Sequence, residues 1–257
     1  WYRERLACPV FTYSENKDQA DLTAKGIRLY PGQVEFEAVA REQIQRVFLP
    51  IPGGFTIYNA LCALSVGLCL GLRLSECAAA LRSARGVKGR VEVVPVPTAY
   101  TVLIDYAHSP NALENILLTA RDFTAGRLIC LFGCGGDRDR TKRPIMGGVV
   151  KELADLAVVT SDNPRTENPE DIIRDILAGM EGEGAQIHVE PDRRQAIAWA
   201  LSQGRPGDVI VLAGKGHETY QEIQGVQYPM DEREIVAQYF SSVPSWERTG
   251  NLPAGVV

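Results

Sequence analysis

The chain has no apolar run long enough to cross a bilayer. Its longest such stretch, around Ala60 to Leu74, is broken by Ser65 and Arg73 and is shorter than the ~20 residues a spanning helix needs. A signal-peptide pattern is not seen either: WYRERLACPVFTYSENKDQADLT lacks the charged-then-apolar order, and without an initial Met it reads as the later part of something longer. There is no surplus of basic charge. With 27 Lys and Arg against 32 Asp and Glu, the formal charge of -5 excludes a general nucleic-acid or anionic-membrane surface, so any anion must be bound locally. The six cysteines (Cys8, Cys62, Cys69, Cys77, Cys130, Cys134) form no CxxC pair and no dense disulfide framework, which implies reduced thiols and a cytoplasmic setting. No Ser-His or Cys-His pair suggests a protein nucleophile. Neither G-x-x-x-x-G-K-[ST] nor GxGxxG occurs in the 257 residues.

What is present falls into two grammars, as a chain of this length allows. Residues 26 to 37, GIRLYPGQVEFE, alternate around Pro31-Gly32 as a hairpin does, and a short strand follows at Arg46 to Pro50. Thr56 to Leu70 and Leu74 to Ala84 carry Ala, Leu and Cys at helical spacing. Beyond the basic, glycine-broken ARGVKGR of residues 84 to 90 the pattern becomes strand and helix in turn. Strands are expected at Val91 to Val96, Tyr100 to Ile104, Arg127 to Phe132, Leu156 to Thr160, Gln186 to Glu190 and Asp208 to Ala213. Helices are expected at Ala112 to Phe123, Pro144 to Leu153, Pro169 to Met180, Arg193 to Leu201 and Glu232 to Phe240, with a loose tail from 241. Such alternation builds an α/β fold around a mainly parallel, Rossmann-like sheet. Ligands collect at the carboxyl ends of its strands.

Four strand ends carry candidate chemistry. LIDYAHSPNAL (103 to 113) sets Asp105 and His108 beside a helix start, where free N–H groups meet anions. LFGCGGDRDRTKR (131 to 143) has three glycines in four positions, allowing close backbone approach, and then Arg138, Arg140, Lys142 and Arg143, which favour an oxyanion. TSDNPRTENPEDI (160 to 172) groups acceptors and an amide in Asp162 and Asn163, a stiffened turn at Pro164 and a planar fork in Arg165. The set suits a ligand with both ammonium and carboxylate, although Asp-Asn-Pro is also ordinary turn chemistry before a capped helix. LAGKGHETYQ (212 to 221) flanks Lys215 with Gly214 and Gly216 and adds Glu218 as an acceptor for an ammonium. His188, inside a strand without such company, reads as structural.

Taken in order, these stretches with GGFTIYNALCAL and GVKGRVEVV resemble the Mur ligases over residues 20 to 240, and Asp162-Asn163-Pro164-Arg165 is similar to the motif of members that add meso-diaminopimelate. The resemblance implies that residues 1 to 88 are the end of a central ATP-binding domain, 89 to 240 a Rossmann-like amino-acid-binding domain, and 241 to 257 a tail. It implies that Arg138, Asp162, Asn163, Pro164, Arg165, Gly214 and Glu218 bind diaminopimelate, with the arginines and Asn163 on its distal carboxylate and Glu218 on its distal ammonium. Asn59 would meet adenine, and Arg90, Asp105 and His108 would lie near ribose and phosphates. The implied reaction is an ATP- and Mg2+-dependent amide ligation of diaminopimelate to UDP-muramyl dipeptide through an acyl phosphate, by a monomer. It leans on positioning and electrostatics. The family's P-loop is absent here, so the chain by itself is expected not to ligate. A folyl-polyglutamate or cyanophycin synthetase-like ligase and a free-standing amino-acid-binding module remain alternatives.

Overall fold

The computed structural model describes residues 5, 7–40 and 43–242. The chain divides into two compact units after Gly86. In the first, strands β1 (Tyr13–Ser14), β2 (Leu22–Tyr30), β3 (Gln33–Ala40) and β4 (Gln43–Leu49) lie in that order in one sheet, followed by helices α1 (Phe55–Cys69) and α2 (Leu74–Leu81). β2 and β3 form the hairpin read from the sequence: Tyr30 pairs with Gln33 across Pro31-Gly32, and the register shifts between Lys25 and Arg28. Alternation puts Val34, Phe36 and Ala38 of β3 on one face, where Ile57, Leu61 and Leu64 of α1 and Leu74 of α2 cover them. Each such large apolar side chain contributes about 1.5–3 kcal/mol when buried. Helix α2 stops at Leu81, three residues before its expected end.

The second unit holds β5 (Glu92–Val94), β6 (Thr101–Asp105), α3 (Pro110–Arg121), β7 (Leu128–Phe132), α4 (Lys142–Leu153), β8 (Leu156–Val159), α5 (Pro169–Leu177), β9 (Gln186–Val189), α6 (Arg193–Gln203), β10 (Val209–Ala213), β11 (Tyr220–Ile223), β12 (Val226–Pro229) and α7 (Glu232–Ser242). Its six-stranded sheet has the order β5-β6-β10-β7-β8-β9. All neighbours are parallel except β5, which runs antiparallel to β6 at one edge. The mainly parallel α/β architecture expected from the sequence is the one found. β6, β7, β8 and β10 are buried along nearly their whole length, as strands covered on both faces must be. Val102, Ile104, Ile129, Leu131, Val158, Ile210 and Leu212 pack against Ala196, Ile197 and Leu201 of α6 and Val236 and Phe240 of α7. The alternate residues turn to the other face, where α3, α4 and α5 lie side by side.

The last strand, β10, returns between β6 and β7, so helices leave neighbouring strands toward opposite faces. A cleft opens at the carboxyl ends of such strands. Several helix starts there are set by the sequence. Ser109 accepts from the amide of Ala112 ahead of Pro110, Asn168 accepts from Glu170 ahead of Pro169, and Asp192 accepts from Arg194 and Gln195. The β11–β12 hairpin was not expected. Its strands alternate no hydrophobic face, β12 being wholly exposed, and its turn residues Gln224 and Gly225 both take positive φ, as a two-residue hairpin turn requires. Helix α7 runs through Ser242, and the rest of the expected tail lies outside the described residues.

Beneath the carboxyl ends sits a fully buried ion pair. Arg193, in the first turn of α6, meets Glu232 of α7 at 2.8 Å with both side chains sealed from solvent. The same guanidinium donates to the carbonyl of Ser161 after β8 (3.2 Å) and to that of Ala213 at the end of β10 (2.8 Å). Removing one partner of such a pair leaves the other charge uncompensated. Glu232→Ala is therefore expected to cost about 3–5 kcal/mol of unfolding free energy, measured by urea denaturation.

Candidate functional site

The four strand exits singled out in the sequence meet in one cleft of about 280 Å³. That is near the lower end of the roughly 300–1,000 Å³ typical of small-molecule sites, so it fits a small ligand better than a nucleotide. Tyr106 and His108 follow β6, Gly135, Arg138 and Lys142 follow β7, Asp162, Asn163 and Arg165 follow β8, and Gly214 and Glu218 follow β10, all lining its wall. Of the expected diaminopimelate residues, every one except Pro164 reaches the cleft. Pro164 packs behind the loop, lining a neighbouring cavity instead.

The acidic side is a dense polar network. Glu218 accepts from the Asn163 amide nitrogen at 3.0 Å and from Lys215 at 3.3 Å on one oxygen, and from the Tyr106 hydroxyl at 3.3 Å on the other. The Asn163 carbonyl oxygen takes the Lys215 ammonium at 2.7 Å and the amide of Glu222 at 2.9 Å. The side chain of Asn163 is thus engaged with Glu218, Lys215 and the hairpin, while its expected partner was a ligand carboxylate. Asp162 accepts from the Asn163 backbone at 2.7 Å and lies 3.8 Å from Lys215. Lys215 and the hairpin residue Glu222 went unassigned in the sequence. For Lys215 a signal existed, a lysine held between two glycines; for Glu222 there was none.

The basic side is sparser than its sequence promised. Arg140, an exposed side chain, pairs with Glu167, and Arg143 is buried against Glu167 and Asp175, and neither lines the cleft. Lys142 donates to the carbonyl of His108. Arg165 stands at φ +52, a conformation that costs a non-glycine residue of order 1–3 kcal/mol. Backbone bonds to the hairpin, Arg165 N–H to Glu222 and Gln224 N–H to Arg165, hold it there. Its guanidinium donates to the Gly136 carbonyl at 2.8 Å and meets Glu222 at 3.2 Å. Arg138 is exposed, and among the described residues its guanidinium donates only to the carbonyl of Asp137. It is the uncommitted cationic fork of the cleft.

The glycines also serve a different purpose from the one expected. A Cβ at Gly136 would lie 1.9 Å from the Pro164 carbonyl, and one at Gly133 would lie 2.3 Å from that of Thr160. They let the loops after β7 and β8 touch each other. Cys134, on the cleft wall, contacts the Met146 sulfur at 3.6 Å, and burial pushes its thiol up to about 12, so it is an inert surface there.

The residues expected near ATP fall in both units. Arg90, Asp105 and His108 share one corner of the second unit, whereas Asn59 is an exposed residue of α1 in the first. The Arg90 guanidinium lies 5.2 Å over the Tyr106 ring, within cation–π range. His108 packs edge-on against the same ring with its Nδ1 2.8 Å from the Tyr106 carbonyl. Asp105 is buried and accepts from the amide of Val91 at 2.8 Å, and burial raises its pKa. It fixes the backbone entering the unit and does not line the cleft.

The model of the Mur ligase glutamate ligase domain matches residues 89–216, and that of the Mur ligase middle domain matches residues 2–67. This chain belongs to the Mur ligase family. It is 42% identical over 235 residues to the UDP-N-acetylmuramoyl-L-alanyl-D-glutamate--2,6-diaminopimelate ligase of Clostridioides difficile strain 630, covering 91% of this chain and 48% of that one. It is 47% identical over 236 residues to the protein of the same name from Clostridium botulinum strain ATCC 19397, covering 90% and 48%. A solved structure of a ligase with that name superposes with a TM-score of 0.78 at 35% identity, over 94% of this chain and 50% of that one. The chain spans about half the length of the curated relatives it matches.

The Arg143–Glu167 pair braces the two loops of this Mur ligase site and has a pH signature. Hydrogen bonds from Arg143, aided by the Asp137 amide and Arg140, lower the Glu167 carboxyl from 4.5 to about 2. A lowered carboxyl stabilises the fold above its unfolded value and stops doing so as pH falls through its folded value. The contribution is therefore complete above 4.5 and fades toward 2. Arg143→Met should raise the Glu167 carboxyl back toward its ordinary value in an NMR titration and flatten the loss of Tm across that window.

Proposed function

We propose that this chain is the amino-acid-holding part of an ATP-dependent ligase that joins meso-diaminopimelate to UDP-N-acetylmuramoyl-L-alanyl-D-glutamate, a step of peptidoglycan precursor synthesis in the cytoplasm. The observation that carries the reading is the pairing, in one cleft, of an uncommitted guanidinium, Arg138, with a carboxylate, Glu218, fixed by three hydrogen bonds. The relatives' shared name supports it. A ligand end bearing both carboxylate and ammonium satisfies both groups at once, the carboxylate on the planar Arg138 fork and the ammonium on Glu218. Arg165, committed to Gly136 and Glu222, acts chiefly by setting the wall against which that end lies.

Gripping the distal end leaves the other amine of the ligand to attack. In the family's reaction the peptide carboxylate is activated as an acyl phosphate at the expense of ATP. The amine adds to its carbonyl and phosphate departs, so the amino-acid site contributes orientation and the restriction of motion. The exposed guanidinium of Arg90 and the ring of His108 suit contact with a nucleotide's phosphates or ribose, and Asp105 does not. Among the described residues no three His, Cys, Asp or Glu side chains gather to hold a cation. No residue here is therefore assigned to magnesium. No described helix is long and apolar enough to cross a membrane.

Calorimetry of the 257-residue chain with meso-diaminopimelate, lysine and glutamate tests the reading. Selective binding of meso-diaminopimelate is the expected result, and equal affinity for all three would refute it. Arg138→Ala removes a charged hydrogen bond worth about 1.5–3 kcal/mol, a loss of roughly 10- to 150-fold in affinity. Unchanged affinity would exclude Arg138 from the site.

A further inference from the structure

Lys215 is fully buried, although it follows a strand at the rim of an open cleft. Gly214 at φ +113 and Gly216 at φ +52 give the chain a course that few other residues accept, and the lysine stem folds in under the cleft floor. A Cβ on Gly214 would stand 2.6 Å from an Asp162 oxygen. The Nζ atom meets the Asn163 carbonyl oxygen at 2.7 Å, Glu218 at 3.3 Å and Asp162 at 3.8 Å, with the Tyr220 ring at 5.7 Å.

Two consequences follow from that placement. The first concerns the amide of Asn163. Its oxygen receives two donors, Lys215 and the Glu222 N–H, and its nitrogen donates to Glu218. Flipping the amide would set N–H against both donors and a carbonyl against a carboxylate, turning three attractive contacts repulsive. The assignment of oxygen and nitrogen is therefore dictated by partners. Glu218 in turn has one oxygen tied to Asn163 and Lys215, while among the described residues the other carries only the 3.3 Å bond from Tyr106. That second oxygen is the one left for an incoming ammonium.

The second consequence is electrostatic. Asp162 and Glu218 both line the cleft, and together they would favour a ligand end bearing positive charge alone. A buried ammonium within 4 Å of both cancels one of them at a depth where solvent screens little. What remains matches an end with one ammonium and one carboxylate, and disfavours an end with an ammonium only.

We infer that Lys215 is a positioning residue that sets the selectivity of the cleft for a zwitterionic ligand end over a purely cationic one, by locking the Asn163 amide and offsetting one of two carboxylates. The inference rests on the reading of the cleft as an amino-acid site. The decisive quantity is the ratio of affinities for meso-diaminopimelate and L-lysine, which differ at their far ends in the carboxylate. Lys215→Met should lower that ratio tenfold or more. Ile197→Ala, a core change in α6 away from the cleft, should lower stability and leave the ratio alone. A Lys215→Met chain that weakens both ligands alike would overturn the inference. Should that variant not fold, Lys215→Gln keeps a donor and most of the length without the charge, and a fall in the ratio from the lost charge alone is expected of it.

A second readout needs no ligand. In the wild-type chain the Asn163 side-chain NH2 should give one sharp pair of 15N-correlated signals that exchange slowly with water. In Lys215→Met, which has no donor for the Asn163 oxygen, the pair should shift and exchange faster, and an unaltered pair would refute the locking role. If the wild-type chain binds neither amino acid, the proposed substrate fails, and the NH2 signals still decide the role of Lys215.

Discussion

The cleft depends on one buried guanidinium. Arg193 reaches from the first turn of α6 to the carbonyls of Ser161 and Ala213, and Glu232 neutralises it from α7. β8 and β10 are not neighbours in the sheet, because β7 lies between them. Hydrogen bonds of the sheet cannot set the relative height of their exits, and Arg193 does so by binding the Ala213 carbonyl at the end of β10 and the Ser161 carbonyl two residues past β8. Asp162 and Gly214 are the next residues of those two loops. Arg is suited to this task because a planar fork can serve two carbonyls and a carboxylate at once.

Above that clamp the site is built by mutual support between loops, with little of it left unpartnered. Gly136 brings the loop after β7 against that after β8, Arg165 and Gly136 share a hydrogen bond, and Lys215 joins Asn163 to Glu218. Most polar groups are satisfied internally; among the described residues Arg138, which donates only to the Asp137 carbonyl, and the Glu218 oxygen that carries a single bond from Tyr106 keep the most free capacity. A site organised in this way is rigid before its ligand arrives, which lowers the ordering cost of binding.

The sequence disclosed the mainly parallel sheet because buried strands are continuous apolar runs and amphipathic helices keep a 3.6-residue period. It disclosed which strand exits matter because Gly, Asp, Asn and Arg collect there for chemical reasons. It did not disclose which charges are spent. Arg140 and Arg143 read like Arg138, and their pairing with Glu167 and Asp175 depends on residues 24 to 32 positions away. Nor could it show that Asn163 faces Glu218 and Lys215, because hydrogen-bond partners more than 50 residues apart leave no local pattern. The β11–β12 hairpin escaped for the opposite reason: with β12 wholly exposed and β11 only half-buried, it has no hydrophobic alternation to detect.

That hairpin bears on how substrate choice can be altered. Glu222 supplies a backbone donor to Asn163, its carbonyl accepts from Arg165, and Gln221 donates to the Asp162 carbonyl at 2.7 Å. The wall of the cleft that carries Asp162 to Arg165 is thus a composite of two segments far apart in the chain. Transplanting the tetrapeptide alone into a homologous scaffold would deliver its letters without the splint that shapes them. Exchange of the proposed ligand preference between such proteins is a two-cassette problem, in which a ribbon that lines none of the cleft must travel with the motif.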